Sequence, residues 1–464
     1  MIVLVASATL WFNPVCLPSA RSLDLLMFTD TIFALSSGRL PSGIAVIRLS
    51  GPHVRACLIQ LLGAVPEARR ARLSTIVRPD GKLIDQGLAL FFPAPASFTG
   101  EDCAELHLHG GLATVSACLA ALGNMEGLRA AEAGEFTRRA FLLGKVDLTE
   151  AEGLADLVAA ETEAQRLQAL ANARGGQRQI YEEWRRRLIQ ARAMIEAEID
   201  FTDEGDVPGS VSDAVWQDIG LLKAEMEQHV DRARGGEIVR NGLDVVIIGA
   251  PNAGKSSLLN ALAGREVAIV TEEAGTTRDL VEARLDIGGF RVNLVDTAGV
   301  REQAGRVEAL GIAKALQRSA ECDLVLLVED ASEPGSAPNG HFNAPVLKVG
   351  LKSDLLAATA QGRYDALVSA LDGTGIDGLC DLIGKFASEA RGRLSDAIPV
   401  RQRQVELLRS CLRSLSHAND SRETALELRA EDLRLAGDAL GRLTGQIDVE
   451  DLLDVIFSQF CIGK

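Results

Sequence analysis

The sequence predicts three domains: an N-terminal α/β domain, an α-helical middle domain, and a second α/β domain inserted into the helical one. Three observations carry this. Short β-like runs alternate with Gly and Pro from Met27 to about Lys145, apolar positions recur three and four apart from Val146 to about Arg240, and strand and helix patterns alternate between Gly242 and about Arg391. The chain of 464 residues is long for one domain and suits about three.

The opening "MIVLVASATLWFNPVCLPSA" imitates a secretory apolar core, but no Lys or Arg precedes Arg21 and the run is too short to span a bilayer. A targeting segment and an upstream-extended start are both open. The second is preferred, with residues 1–26 a start extension and Met27 the natural first residue. Residues 27–145 follow as the N-terminal α/β domain, with β-like "GIAVIRLSG", "GLALFFPAPASFTGED" and "CAELHLHGG". Residues 146–240 read as helices, as in "YEEWRRRLIQARAMIEAEID", until "GDVPGS" breaks the pattern. Residues 241–391 alternate as in a doubly wound parallel sheet. Residues 392–464 are helical again and are expected to pack beside those of 146–240, which makes 241–391 the insertion.

Composition narrows the function classes. The chain is 47% apolar, 24% charged and 4% aromatic, as expected of a soluble globular protein. Two Tyr and three Trp leave no large aromatic platform for single-stranded nucleic acid. The net charge of -16 excludes a polycation, so any nucleic-acid contact must be a local patch. Arg174, Arg178, Arg185, Arg186, Arg187, Arg192, Arg391, Arg393, Arg401, Arg403, Arg409 and Arg413 offer one, with ordinary helix salt pairs an equal alternative because Glu residues interleave with them. Eight scattered cysteines without Cys-x-x-Cys spacing point to reduced thiols in the cytoplasm rather than to zinc or disulfides. His107 and His109 share a strand face without a third ligand and read as structural.

"LDVVIIGAPNAGKSSLLNALAG" places a β run, Gly249-x-x-x-x-Gly254-Lys255-Ser256, and a helical run in the order that a phosphate-binding P-loop requires. Backbone N–H groups from Asn252, Ala253, Gly254, Lys255, Ser256 and Ser257 would wrap the phosphates at a helix N-terminus. Lys255 would reach the outer phosphates and Ser256 would bind Mg2+. A second β run, "FRVNLVDTAG", ends in Asp296, Thr297, Ala298 and Gly299, where the Asp can orient the magnesium shell and the Gly N–H can sense a γ-phosphate. Between these motifs, Thr271, Glu272, Glu273, Ala274, Gly275, Thr276 and Thr277 form a Thr-rich loop read as a switch, with Thr277 closing over Mg2+.

"VGLKSD" sets the base. Asp354 can accept hydrogen bonds from guanine N1–H and N2–H, which adenine cannot offer, and the Lys352 stem can cover the ring. Leu351 stands where such loops usually carry Asn, which is expected to weaken base binding. Ser369 and Ala370 fit the loop that closes on guanine O6, so GTP is preferred over ATP and the insertion reads as a Ras-like P-loop GTPase domain. Val300 occupies the place of the polar residue that usually holds the attacking water. A partner arginine, another carboxylate or a cation must take its role, and Asn252 offers a side-chain oxygen for a monovalent ion.

The stretches "GAPNAGKSSLLNALAGREVAIVTEEAGTTRDL", "DTAGVRE", "SFTGED", "GEFTRRAF", "KVDLTEAEGLADL" and the terminal "FCIGK" together resemble the MnmE (TrmE) family of tRNA modification GTPases, over nearly all of Met27 to Lys464. The resemblance implies activation by K+ and by contact between two GTPase domains. Asn252, with carbonyls of Thr271, Glu273 and Thr276, would hold the K+. Glu308 would orient the attacking water, where the residues alone suggest only a solvated helix charge.

The resemblance also implies a homodimer built through the N-terminal domain. A site there for a 5-formyl-tetrahydrofolate type one-carbon donor would use Arg48, Glu105 and Lys145, which the sequence alone would leave as surface charges. Cys461 would be functionally important near the modification site. The partners would be tRNA and the FAD-dependent protein MnmG (GidA) in a heterotetramer, the membrane would have no part, and the reaction would add a carboxymethylaminomethyl-type group at C5 of the wobble uridine. Two competitors remain: a regulatory GTPase that switches a binding partner, as in ribosome assembly, and an ATP-dependent enzyme.

Overall fold

The computed structural model describes residues 28–200, 210–264, 283–296, 322–335, 342–356, 362–391, 397–420, 425–447, 450–458, 460, 461 and 463. Two compact units result, Met1–Ala151 with Asp448–Lys464, and Glu152–Ile447.

The first unit is built on a sheet of β1 (Thr31–Leu35), β2 (Ser42–Ser50), β3 (Arg72–Val77), β4 (Leu83–Phe92), β5 (Cys103–Gly110) and β6 (Leu128–Ala130). Its order is β3-β4-β5-β2-β1-β6, antiparallel except where β6 joins β1. Alternation decides the faces. Ala45, Ile47 and Leu49 of β2 and Ala104, Leu106 and Leu108 of β5 are buried under α1 (Val54–Leu62) and α2 (Leu112–Gly123). The residues between them, including Arg48 and its register partner Glu105, therefore turn to the opposite face.

On that opposite face Ile32 and Ala34 bury Phe136 of α3 (Glu135–Leu142). The helix also carries Arg139, which is fully buried. Its guanidinium donates to the Asp30 carbonyl at 3.1 Å and pairs with Asp30, Glu101 and Glu135 at 2.7, 3.2 and 3.1 Å. Burial alone would raise the carboxyls of Asp30 and Glu135, but hydrogen bonds from Arg139 and Arg129 hold both below their usual range.

The first turn of α4 (Leu148–Ala159) belongs to the first unit and its remainder to the second, where α5 (Glu163–Ala173) leads into a helical bundle. The bundle core comes from α6 (Gly176–Asp200) and α7 (Ser210–Asp231), then from α11 (Gln402–Asp420) and α12 (Leu426–Thr444). Tyr181, Trp184, Leu188, Ala191 and Ile195 of α6 share one core with Leu408, Cys411, Leu415 and Ala418 of α11, each set spaced in steps of three and four. That spacing makes the knob-in-hole seam of a bundle. Between the two helix pairs the chain makes α8 (Ala233–Asn241) and then a second sheet, flanked by α9 (Lys255–Ala263) and α10 (Ile376–Arg391). Helix α13 (Glu450–Ser458) belongs to the first unit.

The inserted sheet contains β7 (Leu243–Gly249), β8 (Ala283–Ile287), β9 (Phe290–Asp296), β10 (Leu324–Asp330), β11 (Val346–Leu351) and β12 (Ala366–Val368). Its order is β12-β11-β10-β7-β9-β8, parallel except for β8 against β9. This is the expected α/β Ras-like arrangement. Among the described residues no helix is long and apolar enough to cross a membrane.

His229 reports on the bundle. Its ring lies edge-on to Tyr181 and Trp184, with Nε2 3.2 Å from the Tyr181 hydroxyl. Burial, helped by the charge of Arg232, pushes its pKa from 6.5 down to about 4. Above pH 6.5 neither folded nor unfolded chain is charged here. As pH falls toward 4 the unfolded chain takes up a proton that the fold refuses, so stability drops by about 1.4 kcal/mol per pH unit. Thermal unfolding between pH 6.5 and 5, before most carboxylates titrate, should lose this slope in His229→Gln. An unchanged slope would show that the ring is protonated in the fold.

Candidate nucleotide site and N-terminal site

Strand β7 runs through the middle of its sheet and ends at Gly249, where any Cβ would stand 2.4 Å from the Val328 carbonyl of β10. Only glycine lets the loop leave the sheet there. The loop then turns through Asn252 at φ 64° and Gly254 at φ 104°, left-handed conformations that Asn and Gly tolerate, and α9 begins at Lys255. Lys255 is buried, and its Nζ donates to the carbonyls of Gly249 and Ala250 at 3.0 and 2.9 Å, which holds the ammonium over the loop. Asn252, Ser256 and Ser257 are exposed, whereas Ala253 is buried in the sheet's core. A cationic lysine and a helix N-terminus at one glycine loop make a site for a polyphosphate.

Asp296 ends β9, whose register sets it against Ile247, two residues before the loop begins. On the other side, β11 delivers Leu351 and Lys352. Leu351 is buried, and its Cδ1 lies 3.3 Å from where a Cβ on Gly254 would stand, so it packs the 351–354 segment onto the glycine loop. Lys352, at φ 58°, pairs its Nζ with Asp330 at 2.6 Å. Hydrogen bonds from Lys352 and Ser332 hold the Asp330 carboxyl below its usual range.

Asp354 is exposed next to this pair. Ser369 is fully buried, with its N–H donating to Thr374 and its carbonyl accepting from Gly373, so the loop with Ala370 is a closed turn. The sheet thus brings Lys255, Asp296, Lys352, Asp354 and Ser369 to the carboxyl edge of its strands, the usual ligand side of such folds. Thr271, Glu272, Glu273, Ala274, Gly275, Thr276, Thr277, Thr297, Ala298, Gly299, Val300 and Glu308 lie outside the described residues.

In the first unit, Arg48 Nη2 meets Glu105 Oε1 at 2.9 Å and His107 Nε2 meets Glu105 Oε2 at 3.3 Å. Burial would raise the Glu105 carboxyl, but His107 and Arg48 outweigh it and hold it below the usual range. The Arg48 guanidinium lies 5.9 Å from the ring centroids of both Phe98 and Phe136. The Lys145 stem lies against Gly100 of the same loop as Phe98, and burial lowers its pKa. Arg48, Glu105 and Lys145, far apart in sequence, therefore gather around residues 98–100. A half-buried ion pair with aromatic neighbours and a lysine can hold a flat polar ring bearing an anionic tail.

Cys461 is exposed, and its carbonyl accepts from Gly134 N–H at 3.5 Å. His109 pairs with Asp85 at 2.9 Å, and among the described residues no group of three metal-ligating side chains occurs.

Sequence reasoning missed Asp330, Phe98, Phe136 and the role of His107. An Asp closing the β run "LVLLVED" beside the base loop was the only available signal. Of the arginines proposed as a patch, Arg178, Arg186, Arg187, Arg192, Arg401 and Arg403 are held in ion pairs with Glu182, Glu183, Asp218, Glu196, Asp156 and Glu152. At these positions salt pairing accounts for the charge.

Comparison with known proteins bears on both sites. A family model described as the N-terminus of the GTP-binding protein TrmE matches residues 31–145, and one described as the MnmE helical domain matches residues 148–461. The tRNA modification GTPase MnmE of Brucella anthropi is 56% identical over 441 residues, 95% of this chain and 100% of its own length. That of Chelativorans sp. is 57% identical over 441 residues, again 95% and 100%.

Proposed function

The chain belongs to the MnmE family of tRNA modification GTPases, and from that premise we propose a potassium-activated GTP hydrolase that works in tRNA wobble-uridine modification. The observation that carries the GTPase part is the convergence of Lys255, held over the P-loop, with the Leu351–Asp354 segment packed onto that loop through Leu351. Asp354 selects guanine by accepting from N1–H and N2–H, and Lys352, tethered by Asp330, covers the base. Ser256 and Thr277 hold Mg2+, which neutralises phosphate charge. Asn252, with carbonyls of Thr271, Glu273 and Thr276, holds K+, which supplies the positive charge that an arginine gives in other GTPases.

Two residues support the metal assignments on this chain's own chemistry: Asn252 is exposed at the crest of the loop, and Ser256 is exposed in the first turn of α9, which puts both at the surface of the glycine loop. Glu308 orients the attacking water in place of the absent glutamine at Val300.

In the N-terminal domain, Arg48 and Lys145 bind the carboxylates and Glu105 the pterin edge of a 5-formyl-tetrahydrofolate type one-carbon donor. The half-buried Arg48–Glu105 pair supports this, because a pterin can exchange hydrogen bonds with both partners. The protein acts in the cytoplasm as a homodimer with FAD-dependent MnmG (GidA), adding a carboxymethylaminomethyl-type group at uridine C5, and Cys461 serves that chemistry. Residues 27–145, 146–240 with 392–464, and 241–391 form its three domains, with the closing segment 448–464 belonging to the same compact unit as the first.

GTP turnover of the purified chain should be at least about tenfold faster in K+ than in Na+ at equal ionic strength, the size expected from one well-placed transition-state charge. Equal rates would remove the cation from the mechanism and leave Glu308 without its proposed setting.

A further inference from the structure

Lys352 and Asp354 stand two residues apart on a single 3-10 turn, Ser353–Leu355, whose Leu355 N–H donates to the Lys352 carbonyl at 3.0 Å. Opposite charges so close in sequence attract. Yet the Lys352 ammonium pairs with Asp330 at 2.6 Å, and among the described residues the exposed Asp354 carboxylate makes no ion pair. Asp354 is nonetheless within electrostatic reach. After the Asp330 hydrogen bond, the charges of Asp330, Glu333 and Asp354 all help to hold the ammonium above its ordinary pKa.

Asp330 is built to hold that ammonium. It closes β10 beside Leu351 in the sheet register, and its two oxygens have separate tasks. Oδ1 accepts from the Ser332 hydroxyl at 2.6 Å and from the Ser332 N–H at 3.0 Å, which leaves Oδ2 for Lys352. The neighbouring Glu329 is no substitute, because its carboxylate accepts from the Gly335 N–H and the Tyr364 hydroxyl. The Asp330 side chain is 13% exposed against 40% for Lys352, so the carboxylate is the fixed member of the pair and the ammonium the one that is placed.

The residue before Lys352 gives no polar help. Leu351 stands where such segments usually carry Asn, and its buried side chain packs on the glycine loop without a hydrogen bond to offer. A polar tie on this segment therefore comes from β10 instead.

We propose that Asp330 is a specificity-determining positioning residue: by keeping the Lys352 ammonium on its own side of the turn, it leaves both oxygens of Asp354 free for guanine N1–H and N2–H. The inference rests on the reading that Asp354 selects guanine. Without Asp330 the ammonium is shared between Glu333 and Asp354, and whatever time it spends on Asp354 competes with the base. The Lys352 stem also loses its fixed place over the ring.

The test is GTP turnover by the full-length protein. Asp330→Asn keeps an oxygen for Ser332 but loses the charge, and it should raise the KM for GTP about fivefold, the upper end for an exposed ion pair, with kcat unchanged. In a Lys352→Met background there is no ammonium to place. There the same Asp330→Asn change should move KM by less than about twofold.

An unchanged KM in the parent background overturns the proposal. So does an equal loss in both backgrounds, which would make Asp330 a brace for the loop. Asp354→Asn tests the underlying reading by itself. It should turn over xanthosine triphosphate in preference to GTP, because xanthine carries a carbonyl where guanine has its 2-amino group and an amide can donate to it. A variant that still prefers GTP overturns the guanine reading, whatever Asp330 does.

Discussion

Replacing Arg139 by methionine lowers the stability of the N-terminal unit by about 3–5 kcal/mol, the cost of stranding buried carboxylates by removing their shared partner. The guanidinium sits inside the unit and meets Asp30, Glu101 and Glu135, so its loss leaves several negative groups facing one another. Arg129 still reaches Asp30 and Glu135, but among the described residues Glu101 pairs with no guanidinium other than that of Arg139. The contrast is Arg186→Met, which breaks an exposed pair with Glu183 at 2.6 Å and should cost less than about 1 kcal/mol. Denaturant unfolding of both variants decides the matter. Equal, small losses would mean that the Arg139 cluster re-forms through water or protonation.

The second large effect falls on the nucleotide site. Lys255→Ala should reduce GTP turnover by roughly 100- to 1000-fold, the range for deleting one preorganised positive group that faces developing negative charge. Two carbonyls of the P-loop hold the ammonium in place, so its charge needs no reorganisation when phosphate arrives. Removing it also frees the carbonyls of Gly249 and Ala250, and loop order would fall with catalysis. Circular dichroism should show an intact sheet and bundle, because the sheet's core is built of apolar side chains such as Val245, Ile247 and Leu258. A variant that hydrolyses GTP within tenfold of the parent would place the catalytic charge elsewhere.

The parts of this protein that could be read from its sequence are those in which residue type is bound to local backbone geometry. Gly249 and Gly254 announce a loop that only glycine can trace, and the three-and-four spacing of Tyr181, Trp184, Leu188 and Ala191 announces a bundle seam. Alternation along β2 and β5 also sets Arg48 and Glu105 on the faces away from the buried Ile47 and Leu106, although the pairing that joins them is seen only in the fold.

Contacts that join distant segments left no local trace. Ser36 meets Gly463 across 427 positions, and nothing near Ser36 marks it. Arg139 looks like any helical arginine until Asp30 and Glu101 fold onto it. The arginines of α6 left a nucleic-acid patch and ordinary salt pairs equally open, because a one-dimensional count cannot tell a free charge from one paired across to α7, as Arg187 is with Asp218 and Glu225.

The docking of α13 against Ala140, Val146 and Leu148 also bears on how the molecule is made. A ribosome releases the first 151 residues early, yet the unit they belong to stays unfinished until the closing helix emerges. At roughly 5–20 residues per second, synthesis of the intervening segment 152–447 takes on the order of tens of seconds. Throughout that interval the apolar bed around Ala140, Val146 and Leu148 lacks its cover, and a message truncated near its end yields a nascent domain that never closes.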